Sequence, residues 1–310
     1  MKAFFTQIGF LVSYGLLYLL GLLPLRVLYA MARLFIEFPL RLAGYRRNVI
    51  TTNLARSFPE KTYSQILDLQ KAAYRHIGRL TAEVLRLLGA SLKARQHCFS
   101  FPPSPFLQEC LKQNRSVILV LGHYGNWEYA QLGGCPPATT FGSYPLEQVS
   151  ITYKRQHSGV SDRLMYALRT RNKSGFKVIE SQDFAKHMFA HRHNPQLYCL
   201  IADQCPLPGT RYSTTFLGQP TLMIDGPEIL ARRFGCAVAY AALEPDGDGK
   251  YRVKTVPICA RPDDLPDGEI TRRFAQLLEE DIRRQPEQWL WSHKRWKRRP
   301  QTTGPDNCTA

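Results

Sequence analysis

The first forty positions are patterned unlike the rest of the chain. From Ile8 to Leu25 the only polar side chains are Ser13 and Tyr14, with Tyr18 amphipathic. At the helical rise, such a run covers about 27 Å, close to the thickness of a bilayer core. It predicts an N-terminal membrane-anchor helix, with a second apolar helix reaching Phe38. A cleaved signal peptide fits less well: Lys2 is the only cation ahead of the run, and no small-x-small cleavage site follows it. Arg26, Arg33, Arg41, Arg46 and Arg47 come next. Basic residues beside a span favour the cytoplasmic side, so the body is expected there. The structural alternative is a buried or surface-lying helix.

Beyond residue 40 the periodicity changes. Arg41 to Glu60 reads as a polar connection closed by Phe58-Pro59-Glu60. Thr62 with Gln65 forms a capping-box pattern. Ile66, Leu69, Ala73, Ile77, Leu80, Val84 and Leu87 then mark one face of a long amphipathic helix ending near Gly89. Short apolar runs at 116–121, 149–153 and 196–202 predict buried strands. Helices are predicted over 161–170, 182–192, 270–284 and from Pro227 to Phe234. Two more strands, 237–243 and 251–256, are joined by Asp246-Gly247-Asp248-Gly249, a hairpin signal. The stretches 98–105 and 203–225 read as loops. This alternation implies an α/β fold: a central mixed sheet flanked by helices. Three segments are expected: an anchor with its apolar helix over 1–40, an α/β body over 41–300, and a disordered tail over 301–310.

Charge narrows the choice of partners. The chain of 310 residues carries a formal +16 at pH 7, which attracts nucleic acid, phospholipid headgroups or an acidic carrier protein. Trp289 to Arg299 holds three tryptophans among five cations. That mixture suits a membrane interface, or tryptophans filling a core beneath solvated cations. A nucleic-acid role would need no apolar run at the N-terminus and is not expected. The eight cysteines (98, 110, 135, 199, 205, 236, 259 and 308) include no Cys-x-x-Cys pair. Cys199 and Cys236 lie in apolar runs and read as buried small residues of a reduced protein.

Chemistry concentrates in Leu119-Val-Leu-Gly-His123-Tyr-Gly-Asn-Trp-Glu128. His123 stands at the C-terminal end of a predicted strand, where open α/β sheets place their sites. Gly122 and Gly125 permit a tight turn, and Asn126 can cap a following helix. With His123 on the turn and Glu128 in the first helical turns, the carboxylate is expected to hold one ring nitrogen and leave the other to act as a base. A structural histidine is the ordinary alternative. His187, His191 and His193 near Asp183 have partly zinc-like spacing, but Met188 stands where a zinc-protease helix carries its Glu. A solvated basic helix face is the simpler reading, and no metal or other cofactor is expected.

The same motif resembles that of the bacterial lipid A biosynthesis acyltransferases. The resemblance spreads over most of the chain: the apolar N-terminus, Asn53-Leu-Ala with Phe58-Pro-Glu, His123 to Glu128, Tyr153-Lys154, Ala202-Asp203-Gln204, Phe216-Leu-Gly218, Gly226-Pro227 and Pro286-Glu-Gln-Trp-Leu-Trp-Ser-His-Lys-Arg-Trp. It implies a glycerolipid-acyltransferase-like fold at the cytoplasmic face of the inner membrane. It implies acyl carrier protein as donor and a hydroxyl of a lipid A precursor as acceptor. It also implies His123 and Glu128 as the catalytic pair, with Lys154 or the adjacent Arg155, and Asn126, toward the substrates; Asp203 falls on an acidic position near the active site, either orienting a base or positioning the acceptor. Lys154 stands where the family usually has Arg, and the two are not equivalent at a bidentate site. Another lipid acceptor (aminolipid, glycolipid or lysophospholipid) and a non-catalytic lipid-binding protein are the competing functions.

Overall fold

The apolar N-terminal run is not one straight helix. The computed structural model, which describes residues 2–134, 138–155, 158–170 and 175–300, breaks it where Pro24 precludes continuation. Helix α1 (Lys2–Gly21) ends there, and α2 (Leu25–Ala32) leads through a π-helical turn (Arg33–Glu37) into α3 (Phe38–Leu42). Among the described residues no single helix is long and apolar enough to cross a membrane; the segments Thr6–Gly21 and Leu25–Leu42 together are, but they meet at 117°. The polar connection expected after residue 41 contains a helix, α4 (Arg47–Ser57), whose buried residues Ile50, Asn53 and Leu54 follow helical spacing.

The long helix α5 (Tyr63–Gly89) starts with the capping box read from the sequence: Thr62 Oγ1 accepts from Gln65 N, and Gln65 Oε1 accepts from Thr62 N at 2.8 Å. Helix α1 packs on α5 through two glycines. A Cβ built on Gly89 would stand 2.1 Å from the Gly21 carbonyl carbon, and one on Gly21 would stand 2.4 Å from Leu85 O. Backbone meets backbone here because neither residue has a side chain.

A short helix α6 (Leu92–Gln96) and strand β1 (Phe99–Ser100) precede α7 (Pro105–Lys112), a helix that the proline-rich sequence concealed. Then come β2 (Val117–Leu121), a 3-10 helix (Trp127–Gly134), a small β3–β4 pair (Thr140–Phe141, Tyr144–Pro145), β5 (Val149–Tyr153), α8 (Gly159–Thr170), β6 (Lys177–Glu180), α9 (Phe184–Ala190) and β7 (Leu197–Ile201). The segment 203–225, expected as loop, holds the hairpin β8 (Ser213–Phe216) and β9 (Gln219–Leu222). Its turn residues Leu217 and Gly218 both have positive φ, +52° and +70°, as a tight hairpin of this hand requires. A leucine there gives no sequence warning. Helix α10 (Gly226–Phe234), strands β10 (Ala237–Pro245) and β11 (Tyr251–Cys259), and α11 (Glu269–Arg284) complete the order.

The main sheet runs β1-β11-β10-β2-β7-β5-β6. Only β10 and β11 pair antiparallel; the other neighbours are parallel. Both faces are covered, and period-2 alternation sorts the side chains. Ile118, Val120, Tyr198, Leu200, Val238 and Tyr240 join one core with α4, α5, α10 and α11. Val117, Leu119, Leu121, Leu197, Cys199 and Ala239 join the other with α7 and Phe141.

The C-terminal segment belongs largely to the interior. Trp289, Trp291 and Arg295 are buried, whereas Lys294, Lys297 and Arg299 are exposed. The tryptophans thus act as core rather than as an interfacial belt. Cys199 and Cys236 are buried free thiols. Cys135, Cys308 and the tail after Pro300 lie outside the described residues. The His187 and His191 rings lie 4.2 Å apart at a tilt of 39°, and His187 Nε2 meets Ser150 Oγ at 2.9 Å. Burial lowers the His187 pKa to about 4. Among the described residues no cluster of three His, Cys, Asp or Glu side chains could hold a metal ion.

The glycine contact yields a test. Gly89→Ala should cost about 1–3 kcal/mol and increase protease cleavage between α1 and α2, because backbone atoms must separate. Gly15→Ala, with open space around its Cβ, should leave thermal unfolding unchanged or slightly raised.

Candidate active site

Strand register brings the central pair together. In the parallel pair β2–β7, Leu121 lies opposite Ile201. Two residues beyond each stand His123 and Asp203, at the C-terminal edge of the sheet. His123 Nδ1 lies 2.5 Å from Asp203 Oδ1. The His123 backbone N–H donates to Asp203 Oδ2 at 2.8 Å, and so does the Trp289 indole N–H at 2.8 Å. Gly122 permits the approach: a Cβ there would fall 2.7 Å from Leu278 and 3.2 Å from Asp203 Oδ2.

Asp203 is 1 % exposed. Burial alone would raise its pKa, but the adjacent His123 charge and the three N–H donors override that cost and hold it below the ordinary carboxylate range. An ionised Asp203 can only accept, so Nδ1 carries a proton, and in the neutral ring Nε2 presents the lone pair. Gln204 Nε2 stands 3.2 Å from that nitrogen. The imidazole is partly open to solvent, with 17 % of its side chain exposed.

The C-terminal segment walls the site. Gly125 N donates to Gln288 O and Leu290 N donates to His123 O, an antiparallel seam beside the His123 turn. Gly125 takes φ +59° in that turn. His293 Nε2 accepts from Cys205 N at 3.1 Å and so fixes the loop after Gln204. Burial lowers the His293 pKa to about 4, keeping it neutral and able to accept. Arg295 is fully buried and has a pKa pushed down to about 10 by desolvation, opposed by the charge on Asp203.

The carboxylate on the His123 ring is therefore that of Asp203, where the sequence pointed to Glu128. Glu128 instead makes a two-pronged ion pair with Arg169, at 2.6 Å and 3.2 Å. The pair is mostly buried, and the Arg169 guanidinium also lies over the Tyr153 ring at 5.1 Å. Trp127 links the two groups: its ring packs edge-on against His123 at 4.8 Å. Trp127, Glu128 and Arg169 also line a narrow apolar cavity of about 50 Å³, walled by Leu119, Cys199 and Ala241 of the sheet and by Phe141.

The other expected residues scatter. Asn126 is buried and donates to Glu83 Oε2 at 2.8 Å. Its amide thus serves the interior, where Glu83 also accepts from Tyr29 and Tyr251, and its main-chain carbonyl starts the 3-10 helix. Lys154 and Arg155 follow β5 on the same sheet edge, both exposed; Arg155 pairs with Glu180 at 2.7 Å. Arg169, Gln204, Trp127 and Trp289 were not selected from the sequence. The signal for Asp203 was present, since two buried parallel strands each run out into a polar residue after a small one. Nothing in the sequence marks Arg169, which lies 41 positions from its partner.

Against known proteins, the profile of the bacterial lipid A biosynthesis acyltransferases matches residues 4–298. The chain belongs to that family. It is 23% identical over 293 residues to the lipid A biosynthesis lauroyltransferase of Escherichia coli (strain K12), covering 93% of this chain and 90% of that protein. It is also 23% identical over 288 residues to the palmitoleoyltransferase of the same organism and to a lipid A biosynthesis acyltransferase of Shigella flexneri, with 87% of this chain and 83% of each relative covered. Within such an acyltransferase, a partly exposed histidine with one nitrogen held by a buried carboxylate is equipped to take a proton from a hydroxyl.

The depressed pKa of Asp203 has a stability consequence. Its folded-state value lies below its unfolded value, so acid protonates the unfolded chain first. The contribution is complete above the ordinary carboxylate pKa, near about 4, and is lost as pH falls through the lower folded value. Urea unfolding of wild type against Asp203→Asn should differ by about 3 kcal/mol at neutral pH and converge below that range.

Proposed function

We propose that this acyltransferase moves a fatty acyl group from acyl carrier protein to a hydroxyl of a lipid A precursor, with His123 as general base. The observation that carries the reading is the buried Asp203 on Nδ1, which leaves Nε2, met by the Gln204 amide at 3.2 Å, as the basic nitrogen, with Trp127 of the apolar cavity packed against the ring. The acceptor hydroxyl gives its proton to Nε2 as its oxygen attacks the donor thioester carbonyl. The tetrahedral intermediate expels the carrier thiolate, and the imidazolium returns the proton to that sulfur. An ester forms, a thioester breaks, and the enzyme is unchanged. Asp203 stabilises the transient imidazolium; the hydroxyl attacks directly, so no enzyme nucleophile is needed.

The cavity beside Trp127 suits the start of an acyl chain, with the lining side chains separating as the chain enters. Glu128 and Arg169 stand at its polar end, where they can orient the thioester carbonyl; on this reading Glu128 serves catalysis through Arg169. Lys154 and Arg155, exposed on the same edge, suit the anionic groups of the acceptor.

The exposed apolar surface of the N-terminal helices supports membrane attachment. Leu11, Val12, Leu16 and Leu19 on α1, and Phe35, Phe38 and Leu42 beyond it, are exposed. Arg26, Arg33, Arg41 and Arg47 border them. Apolar residues flanked by arginines support a body resting on the cytoplasmic face of the inner membrane, with the bent helix pair dipping into the leaflet.

His123→Ala should lower kcat by roughly 10²–10⁴-fold with the fold intact, measured with carrier-linked donors and a lipid A precursor, the product being read by mass spectrometry. Asp203→Asn should approach that loss, and Glu128→Gln should cost less. If Glu128→Gln matched His123→Ala while Asp203→Asn remained active, Asp203 could not be the group that holds the base. Raising ionic strength should increase KM for the carrier-linked donor, since a +16 chain attracts an acidic carrier through screened charge; a salt-independent KM contradicts carrier steering.

A further inference from the structure

A second concavity, of about 450 Å³, lies between α3, α4 and α5. Three cations line it, Arg41, Arg47 and Lys71, together with the apolar side chains of Phe38, Leu42 and Leu67. No acidic side chain forms part of its lining.

The polar groups at its base are satisfied within the protein. Tyr74 donates to Tyr45 O at 2.8 Å, and Gln70 donates to Thr51 Oγ1. The cations are not neutralised to the same degree. Lys71 meets Asp68 at 2.8 Å in an exposed pair, and Arg41 reaches Glu37 only at 3.4 Å. Exposed pairs of this kind exchange readily for another anion. Among the described residues, the Arg47 guanidinium has no hydrogen-bond or ion-pair partner. Burial raises the pKa of Tyr74, and the charges of Arg47 and Arg41 oppose that rise, so both fields converge on one spot.

The lip differs from the base. Phe38 and Leu42 lie one turn apart on the same face of α3 and are 58% and 78% exposed. They continue the apolar surface begun by Phe35. Convergent guanidinium and ammonium groups beneath an apolar lip match an amphiphile with an anionic head. A soluble phosphate would have no use for the lip, and an acidic protein helix would leave it uncovered.

We infer that this groove seats the phosphate headgroup of an anionic phospholipid, with its acyl chains lying over Phe38 and Leu42. The inference rests on the membrane-surface reading above. It makes the attachment a selective one: the site is built from residues separate from His123, Asp203 and their neighbours, and it takes a lipid that is not consumed.

The test is binding of the purified full chain to vesicles of phosphatidylcholine alone and to equal mixtures with phosphatidylglycerol. Wild type should bind both and favour the mixture. Arg47→Ala with Lys71→Ala should lose roughly 25-fold on the mixture, about fivefold per cation, and keep its affinity for phosphatidylcholine. A charge-matched control, Arg26→Ala with Arg33→Ala, should lose distinctly less. Equal losses in the two double variants would mean a diffuse charge effect and would overturn the groove as a site. If wild type bound phosphatidylcholine but showed no preference for the mixture, the groove would fall and membrane attachment would stand. Binding to neither vesicle would overturn both.

Discussion

One carboxylate organises the C-terminal edge of the sheet. Asp203 receives a ring N–H and a main-chain N–H from His123 and an indole N–H from Trp289, so a single buried charge joins the ends of β2 and β7 to a segment almost ninety residues further on. Burying a carboxylate is costly unless its lone pairs are filled. Here the filling groups fix three things at once: the imidazole plane, the turn that carries it, and the wall behind it. Stability and orientation are the same interaction, which is why Gly122 must lack a Cβ and why the sheet register matters at this edge.

Much of the fold could be read from periodicity. The capping box at Thr62, the buried strands at 117–121, 149–153 and 197–201, and the hairpin over Asp246 to Gly249 were visible because each has a local cause. The elements that escaped have causes elsewhere. Helix α4 has a low-contrast surface because Asn53 and Ser57 are buried by contacts with distant segments. The β8–β9 turn uses Leu217 where a left-handed conformation gives no sequence cue. The expected straight span was broken by Pro24 together with the Gly21–Gly89 crossing, and only the second partner of that crossing lies outside the run.

The site was legible in the same uneven way. His123 was marked by its glycines and by the strand before it. Its partner was first sought five positions on, with Asp203 left between orienting a base and positioning the acceptor; the sheet brings Asp203 to the ring from the neighbouring strand. Glu128 remains close by, but Arg169 engages it, and that arginine comes from a helix with no motif of its own. Asn126 and Arg295 show the reverse error: polar residues in conspicuous motifs whose atoms serve the interior.

Asn53 carries a further implication. Its one amide nitrogen donates to both Trp291 O and His293 O, each at 2.9 Å, clasping α4 to the wall of the site. During synthesis, His123 and Asp203 leave the ribosome well before that wall exists. A nascent chain therefore holds its histidine and its carboxylate without the indole that completes their bonding and without the clasp that fixes it. That edge of the sheet is therefore completed only once Trp289, Trp291 and His293 have been added to the chain.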